Sequence, residues 1–503
     1  MSGPTEHLDV LVVGAGISGI CAGYHLQHEC PGKTYAILEA RPVIGGTWDL
    51  FRYPGIRSDS DMYTLGFPFR PWDSNNSIAD GASILSYVRD TAHEFGIDQK
   101  IRFNHKVLRA AWSSEDDRWT VEAERTDTGE TVVFSCSFLF MCSGYYRYDE
   151  PFTPEFRGIE RFGGRIVHPQ FWTDDIDYAE RRVIVIGSGA TAFTLVPSLA
   201  PKAAHVTMLQ RSPSYVVSLP AQDPLAKLAR RLLPTSLAYQ LVRWKNVLVT
   251  TAFYTLSRRR PKLVKHLIRL GIQRALPADF DIDTHFKPRY NPWDQRLCLI
   301  PNGDLFEAVS RGDVSIVTDI IDTFTERGIL LTSGRELEAD VIVTATGLNL
   351  LPIGGLEVTV DGHDLDLPGA MVYKGCMLSG VPNAAMSFGY TNASWTLKAD
   401  LICQFVCRLV NHMDAHGYTH CAPYNHDPSV TETPFVDFNP GYFQRSMHAL
   451  PKQGSKLPWR MHQNYIRDLR LIKRAPLQDG ALEFGHAGEQ AQPAASSAVV
   501  AAA

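Results

Sequence analysis

Two short glycine-rich segments carry most of the chemistry legible in this chain. The first is Gly14-Ala15-Gly16-Ile17-Ser18-Gly19, and the second is Gly187-Ser188-Gly189-Ala190-Thr191-Ala192. Glycines at this spacing, between a strand and a helix, let the backbone turn tightly and approach a pyrophosphate. The phosphates then rest on the helix N-terminus. One such turn serves one dinucleotide. Two in one chain can hold a flavin beside a nicotinamide, so that a hydride passes from one to the other.

The flanking residues supply the elements that position these turns. Leu8 to Val13 (LDVLVV) reads as a buried parallel strand, with a helix following through Cys21, Tyr24 and Leu26. A second strand, Tyr35 to Leu38, ends at Glu39, where a carboxylate accepts a hydrogen bond from a ribose hydroxyl. The second turn follows the strand Arg182 to Ile186 and opens a helix from Ala190 towards Leu199. The next strand, His205 to Leu209, ends in Gln210-Arg211-Ser212, with no acid. An acid there would repel a 2′-phosphate, whereas Arg211 pairs with one. The first turn therefore reads as an FAD site and the second as an NADPH site.

The rest of the chain fits an α/β protein with two Rossmann-like dinucleotide-binding domains and a helical insert. Its 503 residues allow two or three domains, and a net charge of −5 gives no reason to expect nucleic acid. The nine cysteines follow neither paired nor metal-ligand spacing, so no metal is expected. The opening MSGPTEHLDV leaves no room for a signal peptide. No apolar run reaches the length of a membrane span. A cytoplasmic enzyme without an integral membrane segment is the expectation, and the sequence does not set its oligomeric state. The expected FAD-binding parts are residues 1–144 and 351–486, and the NADP-binding parts are 145–220 and 290–350. Residues 221–289 form the insert, and 487–503 a low-complexity, disordered tail. The insert is basic and amphipathic (LAKLARRLL, LVKHLIRLGI). Its apolar stripe either covers other protein or makes weak peripheral contact with a membrane.

Phe162, Gly164, His168 and Trp172, in FGGRIVHPQFWT just before the second turn, match the pattern FxGxxxHxxxW. The pattern resembles the fingerprint of the type I Baeyer–Villiger monooxygenases, a branch of the class B flavin monooxygenases. Thr173 stands where the family usually has Pro or Asp. A second family pattern matches Gly46, Trp48, Tyr53, Pro54, Gly55 and Asp59 in GGTWDLFRYPGIRSD. The similarity covers nearly the whole chain. In NPWDQRLCL and GYTNASWTLKADL it is closest to the ethionamide-activating group of mycobacterial members.

The resemblance implies an enzyme that uses FAD, NADPH and oxygen on a small-molecule ketone or thioether. It implies a flavin peroxide that converts ketones to esters or lactones and thioethers to sulfoxides. It assigns Arg296 to the stabilisation of negative charge and Asp59 to holding that arginine beside the flavin. The alternatives for these two are a structural ion pair elsewhere and a helix cap. The resemblance also places Gly46, Thr47, Trp48, Asp49, Leu50, Arg57 and Ser58 at the FAD, with Val107 beside its adenine. His168 is implied to link domain movement to the nicotinamide site rather than to act as a base. Trp395 reads equally as pocket lining or core. The closest alternative activity is nitrogen or sulfur oxidation with little action on ketones. A disulfide reductase would need a CxxC, and the nearest pair, Cys403 and Cys407, has the wrong spacing.

Overall fold

Residues 5–488 are described by the computed structural model. The expected disordered tail lies, from 489 on, outside the described residues. Two sheets organise the chain. In the larger, Glu6–Val13 pairs in parallel with Tyr35–Leu38 on one side and Thr131–Met141 on the other. Leu8, Val10, Leu11 and Val12 are all buried, because this central strand is covered on both faces. The helix Ile17–Glu29 packs against a long helix near the other end of the chain, Trp395–His416. Ile20, Leu26, Leu401 and Phe405 share one apolar core there.

An antiparallel meander, His105–Ser113, Arg118–Arg125 and Thr131–Met141, extends this sheet, which has nine strands in all. The later chain adds Glu357–Val360 beside His105–Ser113 and Ala384–Met386 beside Thr131–Met141. The smaller sheet has five parallel strands in the order Val314–Thr318, His205–Gln210, Arg182–Ile186, Val341–Thr344, Arg165–Val167. The fold is α/β, with two Rossmann-like sheets.

The chain crosses between the sheets twice, and both crossings meet in one antiparallel ribbon, Tyr146–Pro151 against Leu348–Leu350. Boundaries at these crossings give the proposed division at 144/145 and 350/351. Between Leu219 and Cys298 lies a set of three main helices, Pro224–Leu232, Thr235–Arg259 and Pro261–Ala275. Asp223 caps the first of them by accepting from the Leu225 and Ala226 N–H groups. Prolines open the first and third, where a missing N–H costs nothing. Among the described residues no helix is long and apolar enough to cross a membrane. All nine cysteines are free and buried.

Candidate active site

One cavity of about 1440 Å³ is lined by both glycine turns. From the first come Gly14, Gly16 and Ser18, with Glu39 beside them. From the second come Gly187, Ser188, Gly189, Ala190 and Thr191, with Arg211 and Ser212 at the following strand end. Gly46, Thr47, Trp48 and Leu50 also face the cavity, as do Arg57, Ser58, Asp59, Val107 and Arg296.

Three expected contacts do not line it. Gly19 is packed under the first turn, where a Cβ would stand 1.8 Å from the Gly14 carbonyl oxygen. It serves the turn's closure rather than the ligand. Asp49 is buried and held by three arginines: Arg41 at 2.5 Å, Arg89 at 3.0 Å and Arg52 at 3.4 Å. Its carboxylate is committed to charge compensation by these arginines. Ala192 is fully buried in the core of the smaller sheet.

The glycines show why the cavity suits dinucleotides. Gly14 and Gly187 have φ of +102° and +141°, a region that L side chains rarely adopt. Gly16 and Gly189 differ from them. A Cβ on Gly16 would meet nothing closer than 3.7 Å, and one on Gly189 nothing within 4 Å. The protein itself leaves room at both, which is what a pyrophosphate against the backbone requires. Glu39 accepts from the Ala15 N–H at 2.7 Å and from the Arg41 N–H at 2.9 Å, one bond to each oxygen. Burial pushes its pKa above the usual carboxylate value, partly offset by these two bonds. Each oxygen keeps a further lone pair for a hydroxyl. Arg211 is exposed and makes no ion pair among the described residues. The Ser188 hydroxyl donates to the Ser212 carbonyl at 2.9 Å, tying the turn to the next strand end.

Arg296 and Asp59 meet: Arg296 Nε lies 2.9 Å from Asp59 Oδ2. Burial acts to lower the pKa of Arg296, but the Asp59 charge more than compensates and holds it above its ordinary value. The arginine is therefore permanently charged at the cavity wall. Its loop is braced from outside. Asp294 accepts from the Asn291 N–H at 2.9 Å, and its carbonyl accepts from the Asn439 N–H at 2.8 Å. Arg258, at the end of the long insert helix, reaches Asp294 at 2.7 Å and Asp437 at 3.2 Å. Trp293 sits at φ +71° and packs edge-on to Tyr254 of the same helix. That strained conformation persists because its surroundings fix it.

Aromatic side chains complete the wall. Tyr145, Tyr146 and Tyr442 line the cavity with Arg296. Tyr145 donates to the Tyr146 hydroxyl at 3.1 Å and stacks on Trp395 with ring centres 5.3 Å apart. Trp395 in turn donates to the Ser18 hydroxyl at 2.8 Å. It thus lines the cavity and is fastened to the first turn, which resolves its two readings. Arg445 also reaches the cavity, over the Phe152 ring at 3.3 Å, and has no carboxylate partner among the described residues. Arg57 crosses to Asp304 at 2.5 Å, and a Cβ on Gly55 would strike the Ser198 hydroxyl. This loop is therefore seated directly on the second-turn half.

None of the fingerprint residues lines the cavity, and the contact with the ribbon is made by Gln170 between His168 and Trp172. Gln170 donates to the Arg147 and Tyr148 carbonyls at 3.0 and 2.8 Å. His168 Nδ1 accepts from the Gln170 N–H at 3.2 Å, and burial lowers its pKa to about 4. Trp172 is buried against Tyr178, and Phe162 is buried in a neighbouring core. A Cβ on Gly164 would stand 2.4 Å from the Asp340 carbonyl oxygen, so only glycine lets the edge strand pair there. Tyr145, Tyr442, Arg445 and Arg258 carried no sequence signal. Tyr442 and Arg445 lie on the short helix Gly441–Ser446, far in sequence from either glycine turn, and Arg258 looks like one base among many.

The flavin-binding monooxygenase-like family matches residues 60–352 of the chain, more than half of it. The chain belongs to this family. A Rossmann-like NAD(P)-binding domain also matches residues 12–75. Among relatives of this flavin-binding monooxygenase-like protein, the FAD-containing monooxygenase EthA of Mycobacterium tuberculosis is 57% identical, over 95% of this chain and 98% of its own. The probable FAD-binding monooxygenase AlmA of Acinetobacter baylyi is 46% identical over 95% and 96%. An oxidised steroid monooxygenase bound to NADP shares the fold, with a TM-score of 0.75 and 24% identity, covering 95% of this chain and 100% of that one. An open cyclohexanone monooxygenase does so at 0.70 and 21%, covering 83% and 90%.

Proposed function

We propose that this flavin monooxygenase binds FAD on its first glycine turn and NADPH on its second. In this reading it oxygenates ketones to esters or lactones and thioethers to sulfoxides. The observation that carries it is the Arg296–Asp59 pair on the wall of a cavity that both turns line. Family membership and the FAD-containing relatives support the cofactor assignment. Bound FAD supplies oxygen activation, and bound NADPH supplies the reducing hydride.

The chain's own groups bind, orient and stabilise. The room at Gly16 and Gly189 seats the two pyrophosphates, Glu39 takes a ribose hydroxyl, and the unpaired Arg211 takes a 2′-phosphate. Asp59 fixes Arg296 through Nε, and the guanidinium also donates to the Tyr442 hydroxyl, which together hold it as a charged donor at the cavity wall. A fixed positive donor is suited to negative charge developing on oxygen, since no reorganisation is needed at that moment. The Tyr145–Trp395 stack and Tyr442 limit water beside it, which strengthens that interaction. His168, neutral under working conditions, is not a base here. It orders Gln170, whose side chain holds the ribbon at which both chain crossings meet.

The test is a panel of ketones and thioethers turned over with NADPH under isotopically labelled oxygen. One label per ester and per sulfoxide, matched to NADPH consumed, is the expected result. Sulfoxide or N-oxide without ester would identify a heteroatom oxidase instead. NADPH oxidation that no ketone or thioether stimulates would end the proposal.

A further inference from the structure

The helical insert presents a surface that the reaction does not explain. On Thr235–Arg259, Leu237, Leu241, Trp244, Leu248 and Leu256 all face solvent. Their spacing of three, four or eight residues puts them in one stripe along the helix. At 1.5 Å per residue the stripe runs about 28 Å. Leu225, Leu228 and Leu232 on the preceding helix are exposed as well, and so are Leu263 and Leu267 on the following one. These ten side chains are between 37% and 68% exposed, and they belong to three consecutive helices that pack on one another. Scattered surface leucines need no explanation, but an exposed apolar stripe of this length, with further exposed leucines on both neighbouring helices, does.

Charge identifies what covers it. Between Pro224 and Ala278 the chain carries twelve Lys and Arg residues and no Asp or Glu, although its net charge is −5. Lys227, Arg231, Arg259, Arg260 and Lys262 are exposed and make no ion pair among the described residues. The bases also adjoin the leucines in sequence: Lys227 precedes Leu228, Arg231 precedes Leu232, and Lys262 precedes Leu263. This is the arrangement in which an apolar side chain enters the acyl boundary while its neighbour's long stem carries a charge back to the headgroups. A second copy of the chain would bring an equally positive face to this one, and the repulsion disfavours that occupant. Duplex nucleic acid would match the charge but not the leucine stripe.

We infer that this three-helix face docks peripherally on the surface of a bilayer containing anionic lipid. The stripe lies in the interface plane and the flanking bases contact headgroups. Binding needs both parts, because the stripe provides apolar burial and the bases provide a salt-screened attraction to negative lipid.

The test uses the full-length, flavin-loaded protein in flotation with two vesicle types, phosphatidylcholine alone and phosphatidylcholine with one third phosphatidylglycerol. The wild type should float with the anionic vesicles at low salt, with affinity falling roughly tenfold or more on neutral vesicles or at high salt. The triple substitution Leu237→Glu, Leu241→Glu, Leu248→Glu should abolish flotation on both; glutamate suits an exposed helix, so flavin absorbance should be kept. Should the triple variant lose its flavin, Leu241→Glu alone is read, with a loss of several-fold expected. Arg231→Glu with Arg259→Glu and Lys262→Glu should remove the preference for anionic vesicles. Failure of the wild type to float on anionic vesicles overturns the inference, as does unchanged flotation of the flavin-retaining stripe variant. A wild-type dimer that the stripe variant converts to monomer, without vesicle binding, would assign the face to a second copy. Salt-sensitive binding to duplex DNA in place of vesicles would assign it to nucleic acid.

Discussion

Replacing Arg296 by alanine should separate consumption of NADPH from formation of oxygenated product. The pair with Asp59 is close, at 2.9 Å through Nε. The substitution removes the fixed charge at the cavity wall and leaves the Asp59 carboxylate unopposed beside it. A hydrogen bond to a charged group contributes about 1.5–3 kcal/mol. Lost only where negative charge develops, it lowers the product-forming rate roughly 10- to 150-fold. Neither glycine turn is touched, so FAD should stay bound and NADPH should still be oxidised, with the electrons leaving as hydrogen peroxide. Asp59→Ala should be milder, several-fold, because it frees the arginine without removing it; ordering a long side chain costs about 0.5–1.5 kcal/mol. Arg296→Lys should fall between, since it restores charge without the planar fork. The assay is ester and peroxide formed per NADPH on one ketone. Wild-type ester yield from Arg296→Ala would show the arginine to be structural and would refute the reasoning.

Arg211→Ala should raise the Michaelis constant for NADPH roughly tenfold or more and leave NADH nearly unchanged, since the arginine has no other charged partner to hold; an equal loss for both coenzymes would contradict the assignment. Gly16→Val should give a folded protein that purifies without flavin, because a Cβ has 3.7 Å of clearance and only a bound pyrophosphate would be displaced. Full flavin content in that variant would remove FAD from the first turn. His168 contributes a pH dependence whose sign follows from its burial. Its native pKa of about 4 lies below the ordinary 6.5, so the unfolded chain takes up a proton between those values. The stabilisation is complete above about pH 6.5 and is lost as pH falls towards 4. The urea midpoint of wild type should drop through that window relative to His168→Gln, and parallel curves would exclude the effect.

Both sheets were legible because parallel strands covered on both faces read as continuous apolar runs. LDVLVV and RVIVI stand out from their surroundings in this way, and each is followed at once by a glycine turn. Arg211 was legible by position, since it follows the strand after the second turn. The surroundings of the Asp49 side chain were not legible, because a motif fixes spacing and not orientation. Only the fold brings Arg41, Arg89 and Arg52 around that carboxylate. Trp395 could not be decided from sequence, as its indole reaches Ser18 across 377 positions of chain. Tyr442 and Arg445 escaped because the helix that carries them, Gly441–Ser446, is under two turns long, too short to show a periodicity. Arg258 escaped because its meaning lies in two aspartates brought together from positions 294 and 437.

The burial of all nine thiols has a practical consequence for handling the protein. Oxidation by peroxide proceeds through the thiolate. Burial holds the thiols of Cys142 and Cys298, the two that line the cavity, well above their ordinary pKa. Peroxide formed in the cavity of a poorly coupled variant therefore meets two thiols that are both shielded and protonated. The cavity thiols should then consume little of the peroxide such a variant forms, so that peroxide can be counted against NADPH used.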